Sequence, residues 1–207
     1  MPILFPADEF AKMKDLLIIY ECGLKIVSTK LDIINQDFKS FKQANPIEHI
    51  KFRMKSAEST AEKLHRRGFT LTAENAREYI KDIAGIRVIC SFTRDIFYMA
   101  GVLRGLPDLV VSEEKDYVTA PKPTGYRSYH MILNVPVHFS DKVETVPVEA
   151  QIRTQAMDFW ASLEHKVRYK YPEQIPQELN DELVMCANKI DDLDQKMFLI
   201  HEAVRGG

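Results

Sequence analysis

Apolar residues recur near the start of the chain in alternating steps of three and four: Phe10, Met13, Leu17, Tyr20, Leu24, Val27, Leu31, Ile34, Phe38 and Phe41. That spacing keeps one apolar stripe on a helix. It predicts a helix over 7–43, with Gly23 as a weak spot inside it. Asn45-Pro46-Ile47-Glu48 reads as a restart, with Asn45 as cap, Pro46 at the first helical position and Glu48 reaching back. The second helix runs to Arg67, and Gly68 stops it. A short helix fits 73–80, capped by Thr72.

The pattern then changes to period two. Ile86 to Phe92 is a β-branched run that reads as a strand. A helix follows near 94–104, and Leu109-Val110-Val111 begins another strand. Residues 113–125 are polar, hold Pro121, Pro123 and Gly125, and read as a loop. Strands follow near 127–138 and 143–153. A helix over 155–170 has Phe159, Trp160, Leu163 and Val167 as its apolar side, and Pro172 and Pro176 break the chain. The last helix, 177–204, carries Leu179, Leu183, Cys186, Ile190, Leu193, Met197, Ile200 and Val204. Helices, a strand-rich centre and helices again make an α+β chain. Residues 1–207 form one domain, with 7–43 and 177–204 as helical extensions. The first stripe is long for one domain to cover, so part of it is expected to meet a partner.

Composition narrows the class. With 45% hydrophobic and 28% charged residues the chain is an ordinary globular one. It has no apolar run of the roughly 20 residues that span a bilayer, and Met1 to Phe5 lacks a basic leader. A cytoplasmic protein without a membrane partner is expected. Cys22, Cys90 and Cys186 are widely spaced and odd in number, which predicts buried free thiols. The net charge of −2 argues against a stable nucleic-acid partner. The charge is uneven, however: Lys51, Arg53, Lys55, Lys63, His65, Arg66 and Arg67 face only Glu58 and Glu62, which suits a small anionic ligand.

Four segments carry candidate chemistry. In Val148 to Arg153, strand alternation sets Glu149, Gln151 and Arg153 on one face, a polar row long enough for a nucleotide's sugar and phosphates. Asp82 precedes a turn that Gly85 permits, at the entrance to a strand, where a carboxylate can hold Mg²⁺. Tyr126, Ser128 and His130 share a side, offering a ring to stack on a base and an imidazole to reach a phosphate. Ser56, Ser59, Lys63 and Arg66 follow one helical face with Lys55 beside it, a surface that fits a triphosphate. By itself each pattern equally fits a plain solvated face or turn. No glycine-rich Walker loop is present.

Together the segments Arg53-x-Lys55-Ser56, Asp82 to Arg87, Gly125 to His130 and Glu149 to Thr154, extended by Ala156 to His165, resemble the synthetase domain of the Rel/SpoT enzymes. The chain is most similar to the single-domain small alarmone synthetases, on their RelP-type side, from about residue 10 to 204. The resemblance implies a nucleotidyltransferase-like synthetase fold, a mixed sheet of about five strands flanked by helices. It implies a GTP pyrophosphokinase: ATP plus GTP or GDP gives AMP plus pppGpp or ppGpp, in a stringent response. Asp82 would then be the Mg²⁺ ligand, and Glu149 the residue that shares the metal or activates the ribose 3′-hydroxyl. Arg53 and Arg87 would sandwich adenine, while Lys55, Ser59, Lys63 and Arg66 hold the ATP phosphates. Tyr126 would stack on guanine, with Lys115, Lys122, His130, Gln151, Arg153 and Asp158 at the acceptor site. RelQ-type enzymes tend to carry Arg at the position of Lys115, and Lys lacks the bidentate fork. The family also implies a homotetramer. No His-Asp pair of its hydrolase domain is apparent, so synthesis without degradation is expected. Two other readings remain open: a nucleotidyltransferase that releases pyrophosphate, and a non-catalytic nucleotide- or RNA-binding module built on the basic segment 51–67.

Overall fold

The computed structural model describes residues 3–42, 44–169 and 175–205. Among them the order is α1 (Ala7–Phe41), β1 (Ile47–Met54), α2 (Ala57–Arg66), α3 (Ala73–Tyr79), β2 (Ala84–Cys90) and α4 (Thr93–Arg104). Then come β3 (Val110–Asp116), β4 (Tyr129–His138), β5 (Val143–Thr154), α5 (Gln155–Tyr169) and α6 (Gln177–Arg205). The strands form a single mixed sheet in the order β1-β2-β5-β4-β3. β2 and β5 run parallel, and every other pair is antiparallel.

Alternation divides the sheet into a packed face and an open one. Ile86, Val88, Met131, Leu133, Val135, Val148, Ala150 and Ile152 are buried in a core with α1 and α4. Gly85, Arg87, His130, Glu149 and Gln151 occupy the other face and are only partly buried. α5 folds back over β2 and β5 from the end of β5, and α6 packs on α5. The polar strand positions on this face are therefore partly covered, with α5 against β2 and β5.

The restart expected at Asn45 is a strand, not a helix. Asn45 Oδ1 accepts from the Ile47 N–H at 3.0 Å, and Asn45 Nδ2 donates to Asn35 of α1 at 2.8 Å, so its cap chemistry turns the chain into an edge strand. Pairing with β2 from Ile47 to Met54 then satisfies backbone groups that a helix would satisfy internally. The true cap is Ser56, whose Oγ accepts from the Ser59 N–H at 3.2 Å. The cap expected at Thr72 is present, with Asn75 N–H as donor at 3.2 Å.

Two glycines play parts other than those expected. A Cβ on Gly23 would collide with Val146 Cγ2 of β5, so Gly23 lets α1 lie directly against the sheet, and the helix runs through it. Gly85 opens no turn. It sits inside β2, opposite Arg53 and beside Glu149, with no positive φ.

At about 1.5 Å per residue, α1 is roughly 50 Å long and outruns the sheet. Met13, Tyr20, Leu24, Val27, Leu31 and Phe38 are buried, but Phe41 at its end is 81% exposed. The α6 stripe is largely uncovered: Leu193, Met197, Ile200 and Val204 are all exposed, Val204 at 77%. On α5 only Trp160 of the expected apolar side is buried, while Phe159 and Leu163 are exposed. Cys90 is buried and Cys22 half-buried, but Cys186 is exposed, against the expectation for all three. The far end of the first extension at Gln43 and the break at Pro172 lie outside the described residues.

Candidate active site

Strand register places the polar residues in rows across the open face. Lys51 pairs with Arg87, Arg87 with Gln151, Gln151 with His130, and His130 with Lys115. One row thus crosses all five strands, about 19 Å at the usual strand spacing. The next row holds Arg53, Gly85, Glu149, Ile132 and Glu113. Where Gly85 contributes no side chain, a gap opens between Arg53 and Glu149.

That gap is the floor of a first cleft of about 350 Å³, lined by Arg53, Lys55, Asp82, Gly85, Arg87, Glu149 and Gln151 with Lys51, Phe52 and Ile86. A second cleft of about 270 Å³ lies over β3 and β4 and is lined by Arg67, Glu113, Glu114, Lys115, Tyr117, Lys122, His130, Ile132 and Glu149. Glu149 lines both.

In the first cleft the expected phosphate lysines converge on one carboxylate. Lys63 Nζ is 2.7 Å from Asp82 Oδ1, and Lys55 Nζ is 3.2 Å from Asp82 Oδ2. Burial raises the Asp82 carboxyl, but the two ammonium groups outweigh it and hold it below the ordinary carboxylate range. Asp82 Oδ1 is buried, yet the Lys63 contact lacks hydrogen-bond geometry, so this oxygen accepts no hydrogen bond from the described residues. A carboxylate whose oxygen is held only by an ion pair, in a cleft that a second carboxylate also lines, fits a hard divalent cation, which takes a few carboxylates and completes its shell with phosphate and water. Among the described residues no group of three or more His, Cys, Asp or Glu is placed to hold a metal by itself. The donor set therefore suits Mg²⁺ arriving with a nucleotide, and not a closed structural site.

Arg53 and Arg87 are diagonal neighbours across β1 and β2. Such neighbours stand about 7–8 Å apart, roughly twice the thickness of an aromatic ring at van der Waals contact. Arg87 is pre-set: its NH1 is 2.9 Å from Asp158 Oδ1. Asp158 also receives Lys51 Nζ at 2.9 Å and Arg153 NH1 at 3.4 Å. Asp158 is buried and lines neither cleft, so it anchors three cations and does not present a carboxylate to the acceptor.

Around Glu149 the contacts close into a ring. His130 Nδ1 is 3.3 Å from Glu149 Oε1, and Gln151 Nε2 donates to Glu149 Oε2 at 2.8 Å. His130 Nε2 meets the Tyr126 hydroxyl at 2.8 Å, and Arg153 NH2 donates to that hydroxyl at 2.5 Å and to Gln151 Oε1 at 2.6 Å. Arg153 has no acceptor capacity, so the Tyr126 hydroxyl accepts from it and keeps a proton and a lone pair with which to meet His130 Nε2. Burial raises the Glu149 carboxyl and burial likewise pushes the Arg153 guanidinium down. The His130 and Gln151 contacts more than reverse this for Glu149, which stays an ionised carboxylate.

The other expected residues divide. Lys115 and Lys122 line the second cleft, Lys115 beside Glu113 at 3.4 Å, and Lys122 with its ammonium 4.9 Å from the Tyr126 ring centroid. Tyr126 stands a layer behind, held by Arg153 and His130. Ser59 sits in the first turn of α2 against Ser56, and Arg66 is exposed on its last turn; neither lines either of these two clefts. Arg153 is buried structure. Lys51 and Arg67, read from the sequence only as members of a basic cluster and given no place in the site, line the first and second clefts respectively, Arg67 with NH1 donating to Tyr79 O at 2.8 Å. The loop expected at 113–125 begins later: 113–116 belong to β3, and Asp116 Oδ1 braces the turn by accepting from Val118 and Thr119 N–H at 2.8 and 3.0 Å.

A family model described as a region found in RelA / SpoT proteins matches residues 52–174. The chain is 47% identical over 191 residues to the GTP pyrophosphokinase YwaC of Bacillus subtilis, covering 92% of this chain and 91% of that protein. Its fold is similar to the crystal structure of small alarmone synthetase 2 from Bacillus subtilis, with a TM-score of 0.83 at 46% identity over 92% of this chain and 98% of the other. It is also similar to small alarmone synthetase 1 of that organism bound to its product pppGpp, with a TM-score of 0.86 at 33% identity over 93% and 98% of the two chains.

Proposed function

This chain belongs to the RelA/SpoT family, and on that premise we propose that it is a GTP pyrophosphokinase, moving the β,γ-pyrophosphate of ATP to the 3′-hydroxyl of GTP or GDP with AMP as by-product. The observation that carries the reading is that two clefts meet at Glu149, one with the lysines and arginines a triphosphate donor needs, the other with Lys115, Lys122 and Arg67 for an anionic acceptor.

ATP binds in the first cleft with adenine between Arg53 and Arg87. Its phosphates draw Lys55 and Lys63 away from Asp82, supported by Ser59 and Arg66 at the flank of α2. Asp82 and Glu149 are the groups that would hold Mg²⁺. Bound there, the ion supplies charge neutralisation for the transferring phosphoryl oxygens. The acceptor lies in the second cleft with its base against Tyr126 once Lys122 moves off that ring. Its phosphates are held by Lys115, Lys122 and Arg67. Glu149, kept ionised and oriented by His130 and Gln151, receives the hydrogen bond of the 3′-hydroxyl and aligns it for attack. Positioning and charge placement provide most of the acceleration in phosphoryl-type transfer. The exposed stripe of α6 and the Phe41 end of α1 are surfaces for self-association, and a homotetramer is the assembly we assign. No helix among the described residues is long and apolar enough to cross a membrane.

Purified protein with ATP, GTP and Mg²⁺ should yield AMP and pppGpp, and Glu149→Gln should not. Release of pyrophosphate in place of AMP would sink the reading in favour of nucleotidyl transfer. Metal-independent binding without turnover would sink it in favour of a binding module.

A further inference from the structure

The wall of the second cleft is the segment 117–128 between β3 and β4. Within it the Lys122 N–H donates to Tyr126 O at 3.1 Å and the Gly125 N–H to Lys122 O at 2.8 Å, a turn that delivers Lys122 to the rings of Tyr117 and Tyr126. This turn rests on α6 at two points one helical turn apart. Gly125 has φ of +84°, and a Cβ there would lie 2.6 Å from Ala187 Cβ, 3.5 Å from Val184 Cα and 3.7 Å from the Trp160 ring, so the loop backbone rests closely on α6, against the Ala187 methyl group and the Val184 backbone. Arg127, next in the chain to Tyr126, spans the same junction: NH1 donates to Val118 O at 2.9 Å, and NH2 is 3.2 Å from Asp191 Oδ2. Both side chains of that ion pair are about four-fifths buried.

No hydrogen bond or ion pair among the described residues runs from the lining of the first cleft to α6; the helix reaches that side only at second remove, through Thr154 Oγ1, which donates to Asp194 Oδ2 at 2.6 Å, and through its packing on α5. The residues of the first cleft come from β1, Lys55 just after it, β2, β5 and the Asp82 turn, and its donor-side arginine is anchored by Asp158 of α5. From this asymmetry we propose that Arg127 and Asp191 are positioning residues through which α6 sets the geometry of the acceptor cleft alone, so that the seating of the C-terminal helix tunes acceptor affinity separately from ATP affinity. The inference rests on the pyrophosphokinase reading above.

The test compares initial rates of the full chain with GTP varied at saturating ATP and with ATP varied at saturating GTP. Asp191→Arg sets two guanidinium groups against each other and should raise the acceptor KM about fivefold or more, within the usual range of coupling between sites, with the ATP KM unchanged. Asp191→Glu, which keeps the ion pair, should stay near wild type in both. Glu202→Gln, which breaks the Arg94 pair on the same helix, should change neither. Should Asp191→Arg not fold, Asp191→Asn carries the same comparison. An active wild type whose variants leave the acceptor KM unshifted, or raise both KM values together, overturns the inference alone. A wild type that forms no AMP overturns the pyrophosphokinase reading and the inference with it.

Discussion

Lys63 Nζ lies 2.7 Å from Asp82 Oδ1, so a group suited to bind phosphate neutralises a group suited to bind metal. Without a nucleotide the cleft is electrostatically self-satisfied, and donor binding exchanges one set of partners for another. Asp82→Asn removes the carboxylate charge and leaves both lysines free. We expect AMP formation to fall about 10²- to 10³-fold, the usual loss when a preorganised electrostatic group is removed. ATP binding measured in EDTA should be no weaker than in wild type. A variant that loses metal-free ATP binding would show that Asp82 has a different role.

Gly85 lies between Arg53 and Glu149. A Cβ there meets only Arg53 O and Glu149 O at 3.8 Å, an ordinary contact. Gly85→Val should therefore fold at least as well as wild type, since a β-branched residue suits a strand better than glycine. Its methyl groups would stand in the cleft, and the ATP KM should rise about tenfold or more, because positioning errors of an ångström carry large kinetic costs. Thermal unfolding and ATP-dependent rates check the two halves. A normal ATP KM would place the donor elsewhere.

Legibility in the sequence followed the range of the interactions. Helices with regular stripes and strands with clean alternation were readable because local spacing reports which face is buried. β1 was misread because Asn45-Pro46-Ile47-Glu48 has the local chemistry of a helix start, while the pairing with β2 that overrides it lies some 40 residues away in the chain. That error left Lys51 as one charge of a basic segment and left the pairing of Arg53 with Arg87 resting on resemblance alone, whereas the sheet sets the two as diagonal neighbours. Asp82, Glu149 and His130 were found through short motifs. Asp158 was placed at the acceptor site by resemblance, but its part as an anchor was not legible, because its three cations come from β1, β2 and β5. Gly23 was taken for a weak spot because nothing local records how near β5 lies.

Gly23 provides a direct test of that last point. In an exposed helix, Gly→Ala stabilises by about 1 kcal/mol. Here the new methyl would overlap Val146 Cγ2, and overpacking of this kind costs about 1–3 kcal/mol. Gly23→Ala should therefore lower the urea midpoint, and Val146→Ala should rescue it, with the double variant more stable than the sum of the single changes implies. Additive effects would mean that the two positions do not meet.

Asp158 links stability to pH. Burial raises its carboxyl, but the Lys51 hydrogen bond and the Arg87 and Arg153 charges outweigh burial and hold it below the ordinary value. Removing the charge leaves Arg153, only 3% exposed, without its counter-ion, and breaking a buried pair in this way costs about 3 kcal/mol. A group whose folded pKa is depressed contributes its full stability above its unfolded pKa, about 3.9 for Asp. It loses that contribution as pH falls through the folded value. The melting-temperature gap between wild type and Asp158→Asn should thus be wide and constant from about pH 8 to 5 and should narrow below about pH 4. A gap that stays constant into strong acid, or widens there, would mean that the three cations do not depend on the Asp158 charge.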